Sequence, residues 1–357
     1  MNDISKIDKN FEIKTNIDKT DIKFYNIKAE PFQIYGVKPE NGRYRRMPEK
    51  VAQDVSEGVY YLHSQTAGGR VKFITDSSYI AISSVMDKIA QRAHFAFTGA
   101  AAFDLYDDNG YIKTFVPPCD MEKGYESVIE LGEKKLRNIT INFPLYSDVL
   151  ELYIGVSENA AIEKALPYKI STPIVYYGSS ITQGACASRP GRCYQSIISR
   201  RFDCDYVNLG FSGNAKAEDE MIEYIKKLDM SLFVYDYDHN APTIEHFEHT
   251  HEKMFKAIRS ENPNMPIIMM SRPKVNLSED EKKRLDIIEK TYKNALSDGD
   301  KNVYFIDGKT LMELCGDEGT VDGCHPTDLG FASIAKAVGD VIEVNRLFCH
   351  KSLTLSK

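Results

Sequence analysis

The feature that most constrains this chain is a change of pattern near Thr172. Before it, from about Phe24 to Val156, short apolar stretches are broken by turn residues: "GVYYLHS", "RVKFITDSS", "YIAISSVM", "HFAFTG", "AAFDLYDDNGYIKTFV", "NITINFPL" and "VLELYIGV". Short strands at this spacing predict an all-β sandwich, and Asn109-Gly110 between two of them predicts a hairpin. After it, the apolar runs "PIVYY", "DYVNLG", "SLFVYDY", "PIIMMS" and "NVYFID" alternate with segments of helical periodicity: "AEDEMIEYIKKL", "EDEKKRLDIIEKTYKNAL" and "FASIAKAVGDVIEV". Near-continuous apolar strands separated by helices predict an α/β unit, a doubly wound parallel sheet of five strands covered on both faces. The expected domains are a β-sandwich over 1–165 and an α/β domain over 166–357, joined through the polar stretch "SENAAIEKALPYKIS".

Composition excludes several function classes. A net charge of -7 disfavours nucleic acid and anionic membrane surfaces as partners. No apolar run reaches the roughly 20 residues of a membrane span. The polar N-terminus "MNDISKIDKNFEIKTNIDKTDIK" lacks the apolar core of a secretory signal, so a cytoplasmic location is expected. The 7 cysteines form no C-x-x-C pair, and free thiols are expected rather than a disulfide or zinc framework.

In parallel sheets the functional loops follow the C-terminal ends of the strands. Four such stations carry candidate chemistry. The first is Gly178-Ser179-Ser180-Ile181-Thr182, where either serine could be a nucleophile or the whole could be a polar turn. The second is "NLGFSGNAK", whose Gly210 and Gly213 allow positive φ and present backbone N–H groups to an oxyanion. The third contains Asn240, an amide donor or a cap. The fourth is "DGCHPTDLG", where Asp322 and His325 stand three apart. A serine nucleophile needs a base and an acid that orients it, and one Asp-x-x-His turn supplies both. By spacing alone, such a pair is more often a solvated turn.

Two further clusters invite a metal reading. Asp236 and Asp238, beside His239, are two apart and could share a strand face, but no second carboxylate cluster accompanies them. His246, His249 and His251 lack the i, i+4 ligand pair of a helical zinc site, since position 250 is Thr250, and read as a solvated helix face. No metal site is expected. Asp104 and Tyr106 alternate with Leu105, which predicts a structural role for this segment.

The four stations, in this order and each after a predicted strand, resemble the SGNH, or GDSL-type, hydrolase superfamily. The resemblance implies a flavodoxin-like parallel sheet, Ser180 as nucleophile, His325 as base and Asp322 as its orienter. It implies an oxyanion hole of the Ser180 N–H, Gly213 and Asn240, and no metal or organic cofactor. Ser179 stands where the family usually carries Asp. Thr182 replaces the last glycine of a Gly-x-Ser-x-Gly elbow, which argues against an α/β-hydrolase. "GAAAFDLYDD" (Gly99 to Asp108), with "GSSITQGACASRPG" and "VDGCHPTDLGF", resembles a bacterial subgroup bearing an N-terminal β-domain of Gly-x-Asp-Leu-Tyr type. The expected activity is hydrolysis of short acyl esters, acetyl above all, on a small-molecule or oligosaccharide substrate. A lysophospholipase or thioesterase, or a noncatalytic carbohydrate-binding protein on the same fold, are the alternatives. Arg189 and Ser179 are candidate substrate contacts, with Arg192 beside them. With no Trp in the chain, its 21 Tyr and 17 Phe would have to stack on sugar rings. A homo-oligomer is compatible with all of this.

Overall fold

The computed structural model describes residues 17–348. Residues 1–16, most of the polar N-terminal stretch, and Cys349 lie outside them. The N-terminal half is a sandwich of antiparallel sheets. One sheet orders Ile22–Asn26, Asp148–Ser157, Tyr79–Asp87 and Glu126–Glu130. The other orders Ile162–Glu163, Arg70–Thr75, Arg137–Asn142, Phe103–Asp107 and Gly110–Phe115, with Gln33–Tyr35 also on Arg70–Thr75. Alternate residues face inward, so Val71, Phe73, Ile80, Ile82, Ile139, Ile141, Leu152 and Ile154 share one core. The hairpin at "DDNG" forms with Asp107 paired to Gly110, which leaves Asp108-Asn109 at its tip.

Two expected strands are helices. "GVYYLHS" falls mostly in the helix Glu57–Leu62, whose start is capped by the Ser56 hydroxyl accepting from the Val59 N–H at 3.3 Å. Its aromatic and β-branched content reads as strand, but Val59 and Leu62, three apart, are the buried pair. "HFAFTG" is a loop entering the short helix Phe97–Ala101.

The C-terminal half holds a five-stranded parallel sheet in the order Cys204–Gly210, Ile170–Gly178, Leu232–Asp236, Ile267–Met270, Val303–Ile306. The period of two sends Ile174 and Tyr176 to one face and Val175 and Tyr177 to the other, each into its own core. Helices Tyr194–Phe202 and Asp328–Val344 cover the first face. Asp219–Ile225, Ile244–Glu261 and Glu279–Ser297 cover the second. The second core also takes Met47, Ala52, Val55, Val59 and Leu62, so a piece of the N-terminal region packs against the parallel sheet. With the first strand between the second and the third, the strand order reverses at the end of Ile170–Gly178, the position where such sheets bind ligands.

Candidate active site

Register brings the stations together. Gly178, at the end of the central strand, pairs with Gly210 on one side and Asp236 on the other. The loops carrying Ser179-Ser180, Ser212-Gly213 and Asp238–Asn240 therefore leave the sheet side by side.

Ser180 opens a single helical turn, Ser180–Gln183. It is 9% exposed, and its Oγ lies 2.8 Å from Nε2 of His325. Nδ1 of the same ring lies 2.8 Å from Oδ2 of Asp322. The other oxygen of Asp322 accepts from the backbone N–H groups of His325 at 2.8 Å and Cys324 at 3.1 Å. Partial burial pushes the Asp322 carboxyl up, but these hydrogen bonds and the imidazole outweigh it and hold the group at about 2. An ionised Asp322 accepts from Nδ1–H, and that tautomer leaves Nε2 as an acceptor for the Ser180 hydroxyl.

The three donors expected to face an oxyanion are free of competing partners among the described residues. As the first residue of its helix, Ser180 has an N–H without an intrahelical acceptor. Gly213 is exposed at φ +71°, a backbone that side chains rarely adopt. Asn240 accepts the Ala215 N–H through Oδ1 at 3.3 Å, which fixes the amide and turns Nδ2 the other way. Neither the Gly213 N–H nor Asn240 Nδ2 has a hydrogen-bond partner among the described residues.

The pattern of the GDSL-like Lipase/Acylhydrolase family matches residues 171–343, and that of the N-terminus of SGNH-hydrolase-type esterases matches residues 22–162. The chain belongs to the GDSL-like, or SGNH, hydrolases. A GDSL-like lipase structure from Bacteroides ovatus superposes with a TM-score of 0.80 at 28% identity, covering 90% of this chain and 97% of that one. The salicylyl-acyltransferase SsfX3 of a tetracycline biosynthetic pathway gives 0.75 at 18% identity, covering 92% and 99%. An acetyl xylan esterase from Butyrivibrio proteoclasticus gives 0.57 at 13% identity, covering 92% and 99%. No curated protein matches the sequence.

In this SGNH hydrolase the turn that carries Ser180 is held by residues whose part in it no sequence spacing shows. Asp236 is buried, and desolvation together with nearby Asp238 pushes its carboxyl up to about 8 against the hydrogen bonds it receives. The Thr182 hydroxyl donates to it, its carbonyl takes the Ser179 N–H at 3.1 Å, and a Cβ on Gly178 would sit 1.7 Å from its Oδ1. Asn208 Nδ2 donates to the Thr182 carbonyl at 2.7 Å. Gln183 donates to Gln65 Oε1 at 2.6 Å and accepts the Ser212 N–H at 3.0 Å. The Tyr146 hydroxyl reaches the Ser180 carbonyl at 3.3 Å. Gln65 and Tyr146 come from the N-terminal half, so the β-domain of the same chain supports this turn. The visible signal was Asp236 at a strand end, which sequence reading weighed only as a metal ligand.

The two expected substrate contacts have structural partners instead. Ser179 is wholly buried. Its hydroxyl caps the short helix by accepting the Ile181 N–H at 3.2 Å and lies 3.4 Å from Asp236. Arg189 pairs with buried Asp104 at 3.0 Å, donates to the Tyr106 hydroxyl and stacks 3.6 Å over Tyr111. Asp104 also accepts the Gly191 N–H and the Asn142 amide, each at 2.8 Å. Arg192 pairs with Asp328 at 3.3 Å. The Asp104-Leu105-Tyr106 signature is thus a dock: Asp104 and Tyr106 hold the loop after the Ser180 turn, while Leu105 lies in the sandwich core.

Asp238 pairs with Arg272 at 3.2 Å. His251 departs from the expected solvated face. It is buried against Tyr235 and Tyr237, contacts Thr291 Oγ1 at 2.8 Å, and burial brings its imidazole down to about 3. A cavity of about 900 Å³ lies at the opposite end of the sheet, lined in part by Ile170, Asp229 and Met265, away from Ser180 and His325.

Proposed function

We propose that this SGNH hydrolase is a serine esterase that removes short acyl groups, acetyl above all, from oligosaccharides. The observation that carries the reading is the chain Asp322–His325–Ser180, with both links at 2.8 Å. Ser180 attacks the ester carbonyl while His325 Nε2 takes its proton, and Asp322 stabilises the imidazolium. The Ser180 and Gly213 N–H groups and the Asn240 amide meet the oxyanion. His325 then protonates the leaving alcohol, and water cleaves the acyl-enzyme by the reverse sequence.

A short acyl group is supported by the loop between Asp87 and Phe97, which stands close to the base. The His94 ring centre is 5.7 Å from that of His325, and Phe95 packs at 4.7 Å on Tyr146. A sugar ester is supported by the acetyl xylan esterase and the family two carbohydrate esterases that share the fold. The test is acetate release from acetylated xylo-, manno- and pectic oligosaccharides, with p-nitrophenyl acetate and octanoate alongside. Release from a sugar and preference for acetate are expected. Hydrolysis of p-nitrophenyl acetate with no sugar cleaved would remove the sugar assignment, and preference for octanoate would remove the short-chain one.

A further inference from the structure

Beside the triad stand two side chains that the esterase reading leaves unused. Cys186 follows the nucleophile turn at φ +69°, a conformation uncommon for a residue with a side chain, and is buried. His94 reaches in from the β-domain and is exposed. One ligand atom from each, with one from His325, lie within 4.8 Å of one another. Neither the His94 ring nor the Cys186 thiol has a hydrogen-bond partner among the described residues.

We infer that His94, Cys186 and His325 form a binding site for a soft divalent cation of the Zn²⁺ class, and that its occupation takes His325 away from Ser180. Two imidazoles and a thiolate suit zinc and disfavour Mg²⁺ and Ca²⁺, which take oxygen ligands. Asp322 already occupies Nδ1 of His325. A carboxylate on the far nitrogen is the arrangement that orients a metal-bound histidine, and it leaves Nε2 as the ligating atom. That is the nitrogen Ser180 uses, so cation and hydroxyl compete for it. Binding exchanges the Cys186 thiol proton for the metal–sulfur bond and releases the proton to solvent. Three protein ligands leave a fourth tetrahedral position for water. The ligands come from both halves of the chain, so the site exists only where the β-domain is docked.

The experiment titrates Co²⁺ into the full-length protein and follows thiolate-to-cobalt absorption in the near ultraviolet, with Zn²⁺ and Mg²⁺ as competitors. One Co²⁺ per chain is expected, displaced by Zn²⁺ and not by Mg²⁺. The band disappears in Cys186→Ser. In His94→Ala, an exposed position, the midpoint rises by about tenfold or more. Absence of the band, or an unchanged band and midpoint in both variants, would overturn the site. A second arm measures Zn²⁺ inhibition of p-nitrophenyl acetate hydrolysis, each variant against its own metal-free rate. Inhibition that weakens about tenfold in His94→Ala is expected, and equal inhibition of both proteins would overturn the competition. Only this arm rests on the esterase reading. Cobalt binding in a protein without esterase activity would retire that reading and leave the site standing.

Discussion

The Ser180 turn and the His325 loop meet at one hydrogen bond but are built in opposite ways. Gly178 to Gln183 is almost wholly buried and held from every side: Asp236 and Asn208 within the sheet, Gln65 and Tyr146 from the β-domain. The stretch Asp322 to His325 is partly exposed, and the orientation of its imidazole comes largely from its own backbone and side chains. From outside, it is met by the Thr320–Pro326 bridge, the Thr320 hydroxyl accepting the Gly323 N–H at 3.0 Å, a 3.6 Å contact of Cys324 with His239, and the His94 ring beside His325. The difference teaches where precision is needed. An attacking oxygen must be placed against the oxyanion donors, so its backbone is over-determined. A base can be aimed by one carboxylate.

The largest break in this comparison is chemical. Ser180→Ala should lower ester hydrolysis by about 10⁴-fold or more while leaving the melting temperature nearly unchanged, as read by steady-state rates and thermal unfolding. Asn240→Ala should cost about 10²–10³ in kcat, with KM little affected, if its amide serves the transition state. Asp104→Ala tests the β-domain side. It leaves Arg189 half-buried without its carboxylate and should destabilise the fold by about 3 kcal/mol in denaturant titration, with a smaller loss of activity.

The smallest effect concerns Asp236. Its folded value of about 8 lies above the unfolded value near 4. The neutral carboxyl therefore favours the fold fully below pH 4, and that advantage is lost as pH rises towards 8. Asp236→Asn does not titrate. Its melting temperature should fall about 2–5 °C less than that of the native protein between pH 5 and pH 8. Parallel curves for the two proteins would place the titration elsewhere.

What was legible in the sequence follows from range. The five parallel strands could be read because each is a local apolar run, and Asp322 with His325 because both sit in one turn. The order of the four stations is legible only through the resemblance, and register explains why three of them meet: Gly178 pairs with both Gly210 and Asp236, which sets the Ser180, Gly213 and Asn240 loops side by side. The supports of the turn were not legible. Gln65 stands 118 residues from Gln183, and Asp104 stands 85 from Arg189, so no spacing links them. The helix at Glu57–Leu62 was hidden by strand-forming residues, since its stability comes from packing on the other domain's core. His251 was misread because a buried histidine among tyrosines has the same sequence signature as a solvated one.

On the proposed function, Ser180 and not Ser179 beside it is the activated hydroxyl. Treatment of the native protein with a fluorophosphonate, followed by peptide mass spectrometry, tests it most directly. A single adduct on Ser180 is expected, absent in Ser180→Ala and much slower to form in His325→Ala. An adduct on Ser179, or no serine adduct at all, would contradict it.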